Sequence, residues 1–340
     1  MLISSYWIQE FRFISAEEIM LKFFLLLTCL LFLVRPAPAQ DDEIVANLAG
    51  GRVIVQVAQD GILFAAIDHP LEAKSVPPRV APIGSGHIAI FLGASEWQAP
   101  AEPKPIRLDR DIQAVVPPGK RYQQPEGAGE NDLEQIGVIF LEKLRPLVTQ
   151  LHHKIDLKPD EPLFEIVLIG YAPQDYGPEV WVLEYFVEQE EGGRKGDYWK
   201  THIQRPRFTQ LYPPEKHQPR VPVEARFPTS LPGVPLLGLL QQNDPSILQL
   251  KNSDVRFAKV IQQLQRGESQ KANTADAEDF LRAVLPIIAG NSKFIQGTLS
   301  ETRGFSWIVP PDEPIDKEQK AQEKNRQPEA PTLRRKSNTN

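Results

Sequence analysis

The chain has 340 residues, with 38 Lys+Arg against 44 Asp+Glu and a formal net charge of −6. No basic block dominates, which argues against a dedicated nucleic-acid binder, because such a protein presents a concentrated cationic face. Its 32 prolines stand well above the usual share of about 5%, which argues against an all-helical bundle.

The N-terminal stretch reads as export machinery. Phe23–Val34 (FFLLLTCLLFLV) is one apolar run, shorter than the roughly 20 residues that span a bilayer core. Lys22 precedes it, and Ala37-Pro38-Ala39 follows as a small-residue cleavage site, the pattern of a signal peptide. Residues 20–39 are therefore expected to be a signal peptide starting at Met20, and residues 1–19 an upstream extension. An uncleaved anchor is the alternative. Lipidation at Cys29 is a poorer one, because that cysteine lies inside the apolar run. Cleavage after Ala39 leaves no integral membrane span and no cysteine, so neither disulfides nor thiolate chemistry are expected.

In chain order, Arg52–Gln59 alternates apolar and polar residues, Asp60-Gly61 follows, and Ile62–Ile67 is apolar. That combination predicts a hairpin with positive φ at both turn positions. His87–Leu92 reads as a third strand, and 98–130, rich in Pro, Gly and charge, as an excursion. From Asn131 or Asp132, apolar residues at 133, 136, 140, 144, 147 and 151 predict a helix with one buried stripe, kinked or divided by Pro146. Phe164–Gly170 and Glu179–Val187 read as strands, and the glycines after Glu188–Glu191 as a hairpin tip. The proline-dense insertion 205–235 predicts irregular or edge strands, because proline cannot donate to a ladder. Helices follow at Val255–Gln265, capped by Ser253 or Asp254, and at Ala275–Ala289, then a strand at Gly304–Val309. The tail 311–340 has too little apolar surface to offset its ordering entropy. Residues 40–310 are thus expected to form one α+β domain of antiparallel sheets with helices packed outside.

Other constellations are weak. Asp68-His69 are neighbours on a strand and point to opposite faces, which is poor for a triad. His152-His153 diverge at a helix end and lack a third metal ligand. Gly84-Ser85-Gly86 precedes a strand, whereas a phosphate loop opens a helix. Tyr198-Trp199, Tyr212 and Phe227 lie among basic and proline residues, as in peptide-binding surfaces, or else anchor a sheet edge. Arg334-Arg335-Lys336 sits in a nearly neutral tail. No cofactor or metal is expected.

The order of these segments resembles the proteasome-type subunits of the N-terminal-nucleophile hydrolase class. VIVQVAQDGILFAAID (53–68) is similar to that family's opening hairpin, and PPRVAPIGSGHIAIFLGAS (77–95) to its next one. LFEIVLIGYAPQDYGPEVWVLEY (163–185) resembles its strand–turn–strand unit through Gly170, Gly177 and Pro178, and ADAEDFLRAVLPIIAG with GFSWIVPP its final helix and strand. The resemblance implies a four-layer sandwich, two antiparallel sheets between helical layers. It also implies catalysis by a Thr, Ser or Cys at the start of the first strand, with its own α-amino group as base.

Here the family pattern fails at its chemistry. The resemblance puts the nucleophile position at or close to Gly51, and no Ser, Thr or Cys occurs between Gln40 and Lys74. The family's basic position falls near Arg79, which holds its proton to far higher pH than lysine. The acidic position falls at Asp68, one residue late because Ile67 intervenes. The expectation is an exported, non-catalytic protein acting on a protein or peptide partner or by homo-oligomerisation. The alternative is a cell-envelope peptidase or amidohydrolase with its site elsewhere.

Overall fold

The structure is a computed structural model that describes residues 44–312 except 72–74, 84–85, 101, 103, 116–131, 157, 159, 173–176, 193–197 and 243. The expectations for 1–19, 20–39, Cys29, Gly84-Ser85, the hairpin tip and most of the 311–340 tail, with its Arg334-Arg335-Lys336, lie outside the described residues. What is described falls within one unit, Glu43–Asn340.

The first hairpin forms where the alternation places it, but its turn differs. Strands β2 (Gly51–Val57) and β3 (Ile62–Asp68) pair antiparallel, with Val57 opposite Ile62 and Gly51 opposite Asp68. Neither Asp60 nor Gly61 has a positive φ. The loop is longer: the Ala58 N–H donates to the Gly61 carbonyl at 2.8 Å, and the Gln59 N–H to the Ala272 carbonyl at 2.9 Å. The approach at Gly61 is close, since a Cβ there would stand 3.2 Å from Thr274 Cγ2 and 3.3 Å from the Leu299 carbonyl oxygen.

Around this hairpin stand two antiparallel sheets. The larger contains β1 (Val45–Ala49), β4 (Arg79–Ile83), β5 (His87–Gln98), β6 (Ile106–Arg107), β7 (Phe164–Ala172), β8 (Gly177–Tyr185) and β11 (Arg207–Tyr212). Its main path runs β1-β5-β7-β8-β11, with β4 and β6 also on β5. The smaller runs β12-β2-β3-β13-β14, adding β12 (Val223–Phe227), β13 (Phe294–Ser300) and β14 (Gly304–Val309). A separate hairpin joins β9 (Val187–Glu191) to β10 (Trp199–Ile203). The proline-dense insertion supplies β11 and β12, each at an edge of its sheet, as the missing donors require.

Alternation along the strands assigns each face. Val53, Val55, Phe64 and Ala66 of the small sheet pack with Ile88, Ile90, Leu92, Val167 and Val180 of the large one. The opposite parity of the large sheet, including Ala89, Phe91, Ile166 and Leu168, packs under α1 (Leu108–Val115) and α2 (Asp132–Val148). The outer face of the small sheet (Ile54, Leu63, Ala65, Ile67) packs under four helices: α3 (Leu236–Gln241), α4 (Pro245–Ser253), α5 (Val255–Gln265) and α6 (Thr274–Ala289). The architecture is therefore α+β, two antiparallel sheets flanked by helices. Each fully buried Phe, Leu or Ile contributes roughly 1.5–3 kcal/mol, and all three interfaces are built from such residues.

Several elements depart from expectation. Helix α1 lies within the excursion; it buries Leu108 and Ile112 as an apolar pair four residues apart, too short a period to see. Pro146 does not divide α2, because it sits in the last turn and the helix ends at Val148. Strands β1 and β13 and helices α3 and α4 were not expected at all. Central β13 (FIQGTLS) lacks clean alternation, and its neighbours on both sides, β3 and β14, supply the pairing that defines it. Helices α5 and α6 match closely, capped by Asp254 and Asn273 and closed by Gly267 and Gly290 at positive φ.

Candidate functional site

Gly51 opens β2 and is the ladder partner of Asp68. Both share the parity of Val53 and Ala66, so they stand on the inter-sheet side. Gly51 admits no side chain: a Cβ would lie 2.6 Å from Pro78 Cγ and 2.7 Å from the Ile67 carbonyl oxygen. Nor is it a leading residue in the fold, since β1 runs directly into Gly50 after pairing with β5. The neighbouring Gly50 is just as crowded, with the His69 carbonyl oxygen 2.3 Å from a hypothetical Cβ.

Asp68 Oδ1 is buried without a hydrogen-bond partner among the described residues. Burial raises its pKa, an effect reduced by the charges of His69 and Lys293. Arg79 is not brought to this pair. It lies in register with Phe91 of the helix-side cluster, and its Nη2 donates to Glu96 Oε2 at 2.9 Å. Glu96 also accepts from the Asn47 amide at 3.1 Å, so Arg79 belongs to a buried ion pair.

Sequence reasoning missed the carboxylates of this region. The row Leu92–Glu165–Glu184–Arg207 crosses β5, β7, β8 and β11, and Leu92 Cδ2 lies 3.4 Å from a Cβ built on Gly51. Glu165 has the parity of Val167, facing between the sheets, and is 3% exposed. Desolvation first, then the charges of Glu184 and Glu161, push its pKa up to about 8. Glu184 accepts a hydrogen bond from the Thr209 hydroxyl at 3.2 Å. Nothing in FEIVLIG marks this, because strand alternation gives the face but not the charge opposite.

The other end of the large sheet carries a second unexpected group. His87, Gly170 and Glu179 form one row across β5, β7 and β8. A Cβ on Gly170 would lie 2.1 Å from His87 Cδ2, so the imidazole rests on bare backbone and reaches two strands over. There Nε2 meets Glu179 Oε1 at 3.2 Å, and Trp181 Nε1–H donates to Glu179 Oε2 at 3.0 Å. Burial alone would raise the Glu179 pKa, but these two hydrogen bonds and the His87 charge outweigh it and hold the carboxyl below its ordinary range. The chain carries no cue for this, because the register that sets Gly170 between His87 and Glu179 exists only once the strands pair.

The remaining candidates resolve structurally. Tyr212 and Phe227 are buried anchors at 2% and 1% exposure. Tyr198 is exposed and its ring lies 4.6 Å from that of His152, while Lys154 sits over Trp199. His152 and His153 follow α2 in a loop and are not on the helix itself. A cleft of about 430 Å³ lies between β6, α1 and α2, lined by Lys104, Arg110, Asp111, Lys143 and Leu147 among others. Among the described residues no group of three or more His, Cys, Asp or Glu is arranged to hold a metal ion, and no helix is long and apolar enough to cross a membrane. No protein-family model matches the chain, and no curated protein sequence does.

Proposed function

We propose that the chain is an exported protein of the proteasome-like, N-terminal-nucleophile-hydrolase-like class that binds peptide or protein segments, or copies of itself, without cleaving amides. The stacking of two antiparallel sheets between helical layers supports the class. One observation carries the loss of chemistry: the Gly51 position is closed by Pro78 Cγ and the Ile67 carbonyl oxygen, so no hydroxyl or thiol can stand where the class places its nucleophile. Asp68 remains beside it, but Arg79 is held by Glu96.

The test is incubation of the purified chain with peptide and amide substrates and with a hydroxyl-reactive covalent probe. No product and no adduct are expected; one stoichiometric adduct overturns the reading. Light scattering at micromolar concentration separates the two modes, a monomer mass removing self-assembly. A second reading, hydrolysis at another site, is favoured by the carboxylate-oriented imidazole of His87, since such a pair is the usual arrangement of a general base. Any turnover that His87→Ala abolishes would establish it.

A further inference from the structure

Between β6, α1 and α2 lies the cleft of about 430 Å³, a volume in the range of small-ligand sites. Although the chain carries a net charge of −6, four cations line this cleft, Lys104, Arg107, Arg110 and Lys143, against the two acids Glu102 and Asp111. Helical spacing brings part of the lining together. Lys143 and Leu147 lie four apart on α2 and so share a face, which sets an ammonium beside a buried leucine. Half-buried Ile106 of β6 adds a second apolar wall. The cations are not equivalent. Asp109 holds Arg107 with hydrogen bonds of 3.1 Å from Nε and 2.6 Å from Nη2, and Arg110 is engaged as well. Lys104 and Lys143 make no hydrogen bond or ion pair among the described residues. Burial raises the Asp111 pKa, the Lys143 charge lowers it and Asp109 raises it, so the Lys143 ammonium acts within the cleft.

We propose that this cleft receives the free C-terminal end of a peptide, its carboxylate at the Lys104 and Lys143 ammoniums and its last side chain, an apolar one, against Ile106 and Leu147. This rests on the peptide-binding reading above and specifies which part of the peptide is held. Terminal carboxylates are a recurring handle in peptide recognition, and an ammonium that meets one gains a charge-assisted hydrogen bond. The lining selects among anions. Glu102 and Asp111 repel a second negative charge, which disfavours a phosphate dianion, and they offer acceptors to the N–H groups of the peptide. The apolar part of the lining is Pro105, Ile106 and Leu147, enough to cover one side chain and too little for a lipid acyl chain.

The test is titration calorimetry of the whole chain at pH 7 with acetyl-Gly-Gly-Leu as the free acid and as the amide, at low and at high salt. The acid is expected to bind about tenfold more tightly than the amide at low salt, and the difference should shrink at high salt as the ammoniums are screened. Lys104→Gln and Lys143→Gln should each lower affinity for the acid by about threefold, and the double variant should bind acid and amide alike. Both positions are exposed, so the fold is retained, which thermal melts check. Lys216→Gln, at an exposed position elsewhere, should change nothing. Equal binding of acid and amide, binding of neither, or an equal loss in Lys216→Gln overturns the inference, and so does inorganic phosphate that displaces the peptide acid at matched concentration. Equal binding without cleavage leaves the non-hydrolytic binder standing; cleavage of either peptide overturns that reading instead.

Discussion

Two rows of side chains cross the same three strands of the large sheet, and they treat a buried carboxylate in opposite ways. At one end, Glu179 is met by His87 across Gly170 and by Trp181, and its pKa falls despite burial. At the other, Glu165 is met by Glu184, and burial with like charge pushes its pKa up to about 8. The two carboxylates share a sheet but stand on neighbouring strands, Glu165 on β7 and Glu179 on β8, and they differ in partner and in depth of burial. A carboxylate matched across strands ties the sheet together, whereas one buried against a like charge holds its proton.

The largest expected effect is on pH dependence. The folded-state pKa of Glu165 lies above its unfolded value, so its proton is bound more tightly in the folded chain. The resulting stability is complete below about pH 4.5 and is lost as pH rises to about 8, a change on the order of 4 kcal/mol. Urea midpoints of the chain and of Glu165→Gln across that window should diverge, the variant showing the flatter profile. Parallel profiles would erase the contrast between the rows.

Next in size, Gly51→Thr should destabilise by about 3 kcal/mol, because backbone at Ile67 cannot yield to the new Cβ. It should also restore no amide hydrolysis, checked by thermal melts and peptide turnover. Gly170→Ala should cost about 2 kcal/mol by forcing the His87 ring off its floor. Combined with His87→Ala, that cost should shrink to well below the sum of the two single changes, and additivity would show that the ring does not rest there. The smallest effect is Glu179→Gln, about 1 kcal/mol at neutral pH. The Glu179 pKa is depressed, so its contribution is present above about pH 4.5 and lost as pH falls through the lowered value. Chemical denaturation at pH 7 and pH 3 should therefore bring the variant and the parent together at the acid end.

The buried arginine network shows how the insertion is anchored, and why it was only half legible. Arg52 grips Glu224 with two hydrogen bonds of 2.9 Å, Arg226 adds one at 3.1 Å, and the Leu236 N–H donates to the same carboxylate at 2.6 Å. The prolines announced edge strands, but not that β12 would be fixed beside β2 by a salt bridge spanning the chain. Similarly, Gln56 and Gln296 sit at 0% exposure in the apolar layer under the helices. Their alternation assigned a face and said nothing of what fills it.

By itself the sequence determined what depends on neighbours along the chain. The Asp60-Gly61 hairpin, the α2 stripe from Ile136 to Leu147, the capped helices α5 and α6, the edge status of 205–235 and the lack of a hydroxyl at Gly51 all follow from local spacing and residue type. Tertiary structure alone decided what depends on groups brought together from distant segments. It set Glu165 against Glu184, laid His87 over Gly170, drew Arg79 to Glu96, and closed Gly51 with Pro78 and the Ile67 carbonyl. Charge and contact act through space, and a period of two along a strand carries no record of what stands on the strand beside it.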